Sequence, residues 1–301
     1  MAAWQSLSSS GHSVLTDDAA SDQLGSLYVD EFTDLDDLDD HRRARRRARA
    51  RRLGTSAAGL LGLAIIWQVA AMLAHSVFLP SVTQTVQTFF QYIDRPYPSQ
   101  GSPLWLDAVA SLRRIMLGFT IGTAAGIILG AGMSASRIIR HLTDPIIEVL
   151  RPLPPLAFIP LFIIWFGIGE LPKEILIIIG VTPIMAVTTV AALDQVPDDF
   201  RLCARTLGAT PLFTLVHVQI RSALPGIVTG MRISMAGAWT SIVAVELIAA
   251  TNGVGYLIMQ AGDYLNVALV FSGIIAIAIM GLTLDACLRG LLYLADPSKR
   301  Q

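Results

Sequence analysis

Pro197–Ile220 reads PDDFRLCARTLGATPLFTLVHVQI. Pro197 is suited to start a helix, and Asp198 and Asp199 favour its positive N-terminal end. Phe200, Cys203, Ala204 and Leu207 then fall on one face, while Arg201 and Arg205 share another. Gly208 is suited to the position just past the helix end, and Ala209 follows it. Thr210 and Pro211 form an N-cap and first-turn pair that opens a second helix through Ile220. Two short helices bent at a glycine make a rigid knob, which is either a docking element for a cytosolic partner or an ordinary amphipathic loop.

The sequence on both sides of this knob is strongly apolar. Of 301 residues, 53% are hydrophobic and only 15% charged, and the mean hydropathy is +0.58, which points to a membrane protein. Six windows approach the roughly 20 apolar residues a span needs: Thr55–Ala74, Ile115–Met133, Leu153–Ile168, Ile175–Leu193, Ile233–Ala250 and Val267–Leu284. With both termini inside, 17 Lys and Arg residues fall on the cytoplasmic side. The outer side receives four, Arg95, Arg113, Arg114 and Lys173, with Arg113 and Arg114 at the outer mouth of the second span. That asymmetry predicts an all-α polytopic protein of six spans with both termini cytoplasmic. The outer connection also contains Val82–Ile93, an amphipathic stretch expected at the interface.

Residues 1–52 differ from the rest. Their first forty positions hold ten acidic residues and no Lys or Arg, a composition expected to stay disordered. HRRARRRARARR at His41–Arg52 follows, directly before the first span. Arginines there hold that end in the cytoplasm, with binding to anionic lipid or to the acidic tail as a lesser alternative. The expected organisation is a cytoplasmic extension over 1–52, a membrane domain over 53–296 and a short tail over 297–301. No apolar segment near the N-terminus resembles a secretory signal. Cys203 and Cys287 are the only cysteines, so neither a disulfide framework nor a cysteine zinc site is expected.

Three features depart from a plain helix bundle. Arg151–Pro160 reads RPLPPLAFIP at the start of a span. Irregular backbone at membrane depth is tolerated only when it is buried in protein or lines a wet cavity, so Pro155 and Pro160 mark a pathway wall; a cytoplasmic loop ending before Leu156 is the alternative for Pro152–Pro155 but does not account for Pro160. The second span carries Gly118, Gly122, Gly126 and Gly130 on one face, suited either to close helix approach or to a narrow path. Glu246 is the one ionisable residue read as lying well inside a span, with Trp239, Thr240 and Ser241 one to two turns away. Such a charge is costly; it binds solute, holds a gate or makes a structural hydrogen bond near the outer surface.

Ala204-Arg-Thr-Leu-Gly208-Ala, followed by Ala223-Leu-Pro-Gly-Ile-Val-Thr-Gly-Met-Arg-Ile233, resembles the cytoplasmic EAA loop of ATP-binding-cassette importer permeases. Asp144–Ala157, Ile164-Trp-Phe-Gly-Ile-Gly-Glu170 and Val245–Gly255 extend the resemblance to the branch carrying taurine, other sulfonates, nitrate and bicarbonate. The last two segments look most like taurine permeases. The chain departs from the family pattern at Leu202-Cys203-Ala204, where Glu-Ala-Ala is usual, and at Arg221, where proline is usual.

The resemblance implies a type I importer fold in the inner membrane of a bacterium, crossing it several times. It implies a homodimer, two ATP-binding-cassette subunits docked on the 197–221 loop through Arg201, Cys203, Ala204, Leu207, Gly208 and Ala209, and an extracytoplasmic substrate-binding protein. It also implies a path or gate formed with Pro155, Pro160, Trp165, Trp239, Ser241 and Glu246.

No catalytic residue, metal site, resident cofactor or nucleic-acid partner is expected. There is no GxxxxGK[ST] loop, so ATP is bound by a separate subunit. The expected function is import of a small sulfonate such as taurine, the alternatives being nitrate, bicarbonate or another small anion. An ion-coupled secondary transporter fits less well, since no internal repeat and no midplane coupling group is evident. An embedded enzyme lacks HExxH, GxSxG or any His–carboxylate cluster.

Overall fold

The computed structural model describes residues 51, 54–55, 58–59, 61–74, 78–96 and 102–295. The expected disordered tail and C-terminal tail lie outside the described residues. Two units are distinguished, 1–70 and 71–301. The described part of the first is helical and runs into α1, Leu61–Ala74. Leu63, Ile65 and Ile66 in α1 are exposed.

Among the described residues of the second unit all regular structure is helical. In order come α2 (Val82–Tyr92), α3 (Leu104–Ala135), α4 (Arg137–Leu150) and a 3₁₀ turn at Pro155–Phe158 leading into α5 (Ile159–Phe166). Next are α6 (Glu170–Asp194), α7 (Asp198–Thr206), the single turn α8 (Pro211–Phe213), a π-helical stretch Thr214–Gln219 and α9 (Ile220–Ala249). The chain ends in α10 (Val254–Asp263) and α11 (Val267–Ala295). Four continuous helical stretches are long and apolar enough to cross a membrane, Leu104–Ala135, Glu170–Asp194, Pro211–Ile248 and Val267–Tyr293. A fifth crossing exists if the bent pair Arg137–Leu150 and Pro155–Phe166 counts as one.

The third expected span is therefore not a straight helix. The two halves of the pair meet at 89°, because Pro152, Pro154 and Pro155 remove consecutive backbone donors and restrict the residues before them. Pro160 does not break anything. It sits in the first turn of α5, where the missing N–H has no intrahelical role. The fifth span also differs from expectation: the second helix of the knob does not stop at Ile220 but continues as one 38-residue helical stretch to Ile248. The π-helical turn and Pro225 are absorbed within it, so the knob is rigidly joined to a span.

The glycine face of α3 serves close packing. A Cβ on Gly118 would lie 2.7 Å from Ile177 Cβ, and one on Gly122 would lie 3.0 Å from Val181 Cβ. On Gly130 it would meet the Ala186 carbonyl oxygen at 2.6 Å. Ile177, Val181 and Met185 recur every fourth residue along α6 and are fully buried, so this ridge fills the groove the glycines leave. Gly226 of α9 seats against Ala192 on α6 in the same way, since a Cβ added there would stand 2.7 Å from Ala192 Cβ. α6 is thus the central helix of the bundle.

α2 is capped by Ser81 and Gln84 in reciprocal hydrogen bonds of 3.1 Å each. It is tied to α11 by Ser272 Oγ donating to the Thr85 carbonyl at 3.1 Å. Its inward side is set by buried Thr85 and partly buried Phe89, while Val86 and Phe90 are exposed.

Candidate functional site

Three places concentrate polar or unpartnered groups: the top of α9, a cavity beside its middle, and the loop at its base. At the top, Asp107, Ser111 and Arg114 project from α3 at a helical spacing of four and three residues, and all three are buried. Arg114 is 1% exposed and uses all five of its N–H groups. Nε donates to Glu170 Oε2. Nη1 donates to Glu246 Oε1 at 2.7 Å and to the Asn252 carbonyl at 3.0 Å. Nη2 donates to Glu170 Oε1 at 2.8 Å and to Asn252 Oδ1.

Glu246, also 1% exposed, accepts in addition from Ser111 Oγ at 2.8 Å and from the Gly255 N–H at 3.0 Å. Asp107 Oδ1 accepts from the Gly253 N–H at 2.8 Å, and Ser111 Oγ from the Val254 N–H at 3.0 Å. Lys173 Nζ closes the set on Glu170 at 2.9 Å. Arg114 and Lys173, with the more exposed Arg113 at 3.6 Å from Glu170, thus face Glu170 and Glu246, while the third carboxylate, Asp107, is met by the Gly253 N–H. A buried charge network is tolerable in this form, paired and hydrogen-bonded throughout.

Gly253 has φ +113°, and a Cβ there would stand 2.6 Å from Glu246 Cδ and 2.7 Å from Arg114 Nη1. Only glycine lets the turn after α9 close over the pair.

Two sequence expectations change here. Arg114 and Lys173 are not outer-surface charges but buried structural ones, so they carry no weight in the orientation count. Glu246 is not the sole ionisable group buried among the helices, since Arg114 is buried beside it and pairs with it at 2.7 Å. The spacing of Asp107, Ser111 and Arg114 on one face of one helix is the signal in the sequence that points to this site.

Beside the middle of α9 lies a cavity of about 260 Å³, far above the ~10–15 Å³ one water needs. Its wall includes the bend after α4, with Arg151 and Pro155, Gly180 on α6, and Gly237, Thr240 and Ser241 on α9. The proline-rich bend thus lines open space, where irregular backbone can be solvated.

The other path candidates are elsewhere. Trp165 is 63% exposed on α5, where it packs on Phe162 and Phe166. Pro160 is exposed on the same helix. Trp239 turns toward Gly281 of α11. Pro155 and Ser241 are brought together; Pro160, Trp165, Trp239 and Glu246 do not join them.

At the base, α7 ends in a Schellman arrangement. The Gly208 N–H donates to the Arg205 carbonyl and the Ala209 N–H to the Ala204 carbonyl, each at 3.0 Å, with Gly208 at φ +81°. Thr210 Oγ1 caps the next turn by accepting from the Phe213 N–H at 3.3 Å. Ala204 is buried against the bundle, and Arg201 donates to the Leu193 carbonyl at 3.3 Å, fastening the loop to the end of α6. Leu207, by contrast, is 87% exposed, and Phe200, Leu202, Cys203, Leu212 and Phe213 are exposed around it. Farther along α9 from Glu246, Arg232 pairs with Asp285 of α11 at 3.0 Å.

Long apolar helices, a broken span lining a cavity and a rigid apolar knob at one end define a helical, membrane-embedded translocation subunit. The chain belongs to the family of binding-protein-dependent transport system inner membrane components, which it matches over residues 122–301. It is an ATP-binding-cassette importer permease, a membrane pore subunit without catalytic activity of its own.

Among similar proteins, the taurine transport permease TauC of Escherichia coli K12 is 39% identical over 230 residues, covering 76% of this chain and 83% of that one. The aliphatic sulfonates transport permease SsuC of Bacillus subtilis, described as putative, is 33% identical, covering 74% and 80%. The nitrate import permease NrtB of Synechococcus elongatus is 30% identical, covering 78% and 87%. Among solved structures, the inward-facing MetNI methionine transporter aligns with a TM-score of 0.59 at 19% identity, covering 64% of this chain and 96% of that chain, which supports the fold.

Proposed function

We propose that this chain forms the translocation path of an ATP-driven importer for a small sulfonate such as taurine, working as a homodimer. Two ATPase subunits dock on the 197–221 loops, and a solute-binding protein delivers cargo outside. The 53–296 body carries transport, while 1–52 is an accessory cytoplasmic extension. The observation that carries the substrate reading is the 39% identity to the taurine permease across most of both chains. Nitrate is the second reading, favoured by relatives at 30–31% identity with equal coverage.

In this reading Leu207 and its exposed apolar neighbours meet the ATPase, Gly208 fixes the angle between the two halves of the knob, and Arg201 and Ala204 anchor it. Because the π-turn and α9 continue the knob without a break, ATPase closure moves the cavity wall as one lever. Glu246 and its partners hold the outer end shut as a unit.

The test is reconstitution of the permease with its ATPase and binding protein in vesicles, followed by uptake of labelled taurine and labelled nitrate. ATP-dependent taurine uptake without nitrate uptake is expected. Nitrate uptake alone would replace the sulfonate reading, and no uptake without the binding protein is a required control.

A further inference from the structure

The lining of the cavity beside α9 combines two opposite kinds of group, hydroxyls and an arginine. Ser241 Oγ donates to the Gly237 carbonyl at 2.9 Å, and Thr240 Oγ1 donates to the Ala236 carbonyl at 3.0 Å. A hydroxyl has one proton to give. Once it is committed to the preceding turn, only lone pairs remain for the cavity, so this wall accepts hydrogen bonds and offers none. It suits an ammonium group and gives nothing to an oxyanion. Arg151, at the bend after α4, also lines the cavity and makes no ion pair among the described residues, and the five donors of a guanidinium match an anionic oxygen group. Gly180 keeps the space beside Ser241 open, since a Cβ there would stand 3.2 Å from both Ser241 Oγ and Pro155 Cγ.

From this juxtaposition we infer that the cavity is a transient seat for a short zwitterion, an aminoalkanesulfonate, with its ammonium on Thr240 and Ser241 and its sulfonate toward Arg151. Nitrate or a plain alkanesulfonate satisfies one kind of group only, leaving the other with water. The inference rests on the sulfonate-importer reading above and narrows it to solutes carrying both charges. It also divides selection between the external binding protein and the membrane subunit.

The seat is tested apart from the binding protein, by equilibrium binding of labelled taurine to the purified permease–ATPase complex in detergent. Unlabelled ethanesulfonate, ethylamine and nitrate serve as competitors. Saturable binding at millimolar taurine is expected, with each competitor at least about tenfold weaker than taurine, the scale of one hydrogen bond to a charged group. Thr240→Val combined with Ser241→Ala should lower taurine affinity about tenfold and leave ethanesulfonate affinity unchanged. Arg151→Gln should weaken taurine and ethanesulfonate alike and spare ethylamine.

Thr240 is solvent-facing, so Thr240→Val alone keeps the fold and should give a smaller loss of the same selectivity. No saturable binding, or taurine and ethanesulfonate competing equally in wild type and variants, would overturn the seat. If wild-type vesicles nevertheless import taurine, only the seat is lost. If they import nitrate and no aminosulfonate, the sulfonate reading falls with it.

Discussion

The two ends of the Pro211–Ile248 helix are built on opposite principles. At its C-terminal end Glu246 is buried and hydrogen-bonded to α3 and to the 250–255 turn. At and just before its N-terminal end Leu207, Leu212 and Phe213 stand in the open beside the Schellman turn. The C-terminal end is held by contacts within the chain, whereas the N-terminal end leaves a group of apolar side chains uncovered among the described residues. Substitutions at the C-terminal end should therefore act on folding, and, on the reading proposed above, those at the N-terminal end on assembly and coupling.

The largest effect is expected at Arg114. Arg114→Met keeps roughly the aliphatic stem of the side chain and strands Glu246, leaving Glu170 to Lys173 and the exposed Arg113. Removing one partner of a buried ion pair costs about 3–5 kcal/mol. The melting temperature of the purified protein in detergent should fall by something on the order of ten degrees. Arg114→Lys should recover little, since an ammonium has three donors where the network uses five. Glu246→Gln should be milder, because the amide keeps the shape and can still accept from Ser111 and Gly255. A wild-type melting curve for Arg114→Met would show that the network contributes nothing to the fold and reopen a solute-contacting role for Glu246.

The middle case is Gly208. A β-branched side chain at φ +81° costs more than the ~1–2 kcal/mol of an ordinary left-handed residue. The space around this glycine is open, since a Cβ added there would meet nothing within 4 Å. The strain is thus local to the Schellman turn. Gly208→Val should shift the melting point by only a few degrees while sharply lowering substrate-stimulated ATP hydrolysis in the reconstituted complex. Full stimulation would detach the angle of the knob from coupling.

What can be read from the sequence follows the same division. The knob is legible almost residue by residue, since proline, aspartate, glycine and the Thr-Pro pair each act on the backbone within a few positions. The four-residue glycine repeat is legible as a packing face, although its partner ridge on α6 is not. The Arg114 network is not legible as a network, because it joins residues as much as 146 positions apart, and counting charges places Arg114 and Lys173 at the outer surface. The third span misleads for a related reason. Composition measures how apolar a window is, whereas the bend at Pro152–Pro155 depends on where donors are missing. Pro160 shows the converse: its meaning is set entirely by its place in the first turn of α5.

The smallest effect on the protein itself is expected at Leu207. At 87% exposure its side chain has little contact to lose, so Leu207→Ser should leave the melting temperature within the ±0.5 kcal/mol band of ordinary surface changes. A leucine buried in an interface is instead worth roughly 1.5–3 kcal/mol, so the same substitution should weaken the hold on the ATPase by about tenfold to a hundredfold. The measurement is co-elution of permease and ATPase from a sizing column over a dilution series, beside the melting curve of each permease variant. Reduced co-elution with an unchanged melt would mark the N-terminal end of the helix as a surface awaiting its partner. Unchanged co-elution would mean that the contact lies elsewhere on the knob, with Phe200 and Leu212 as the next positions to substitute. A lowered melt would place Leu207 against the rest of the chain and remove the contrast between the two ends.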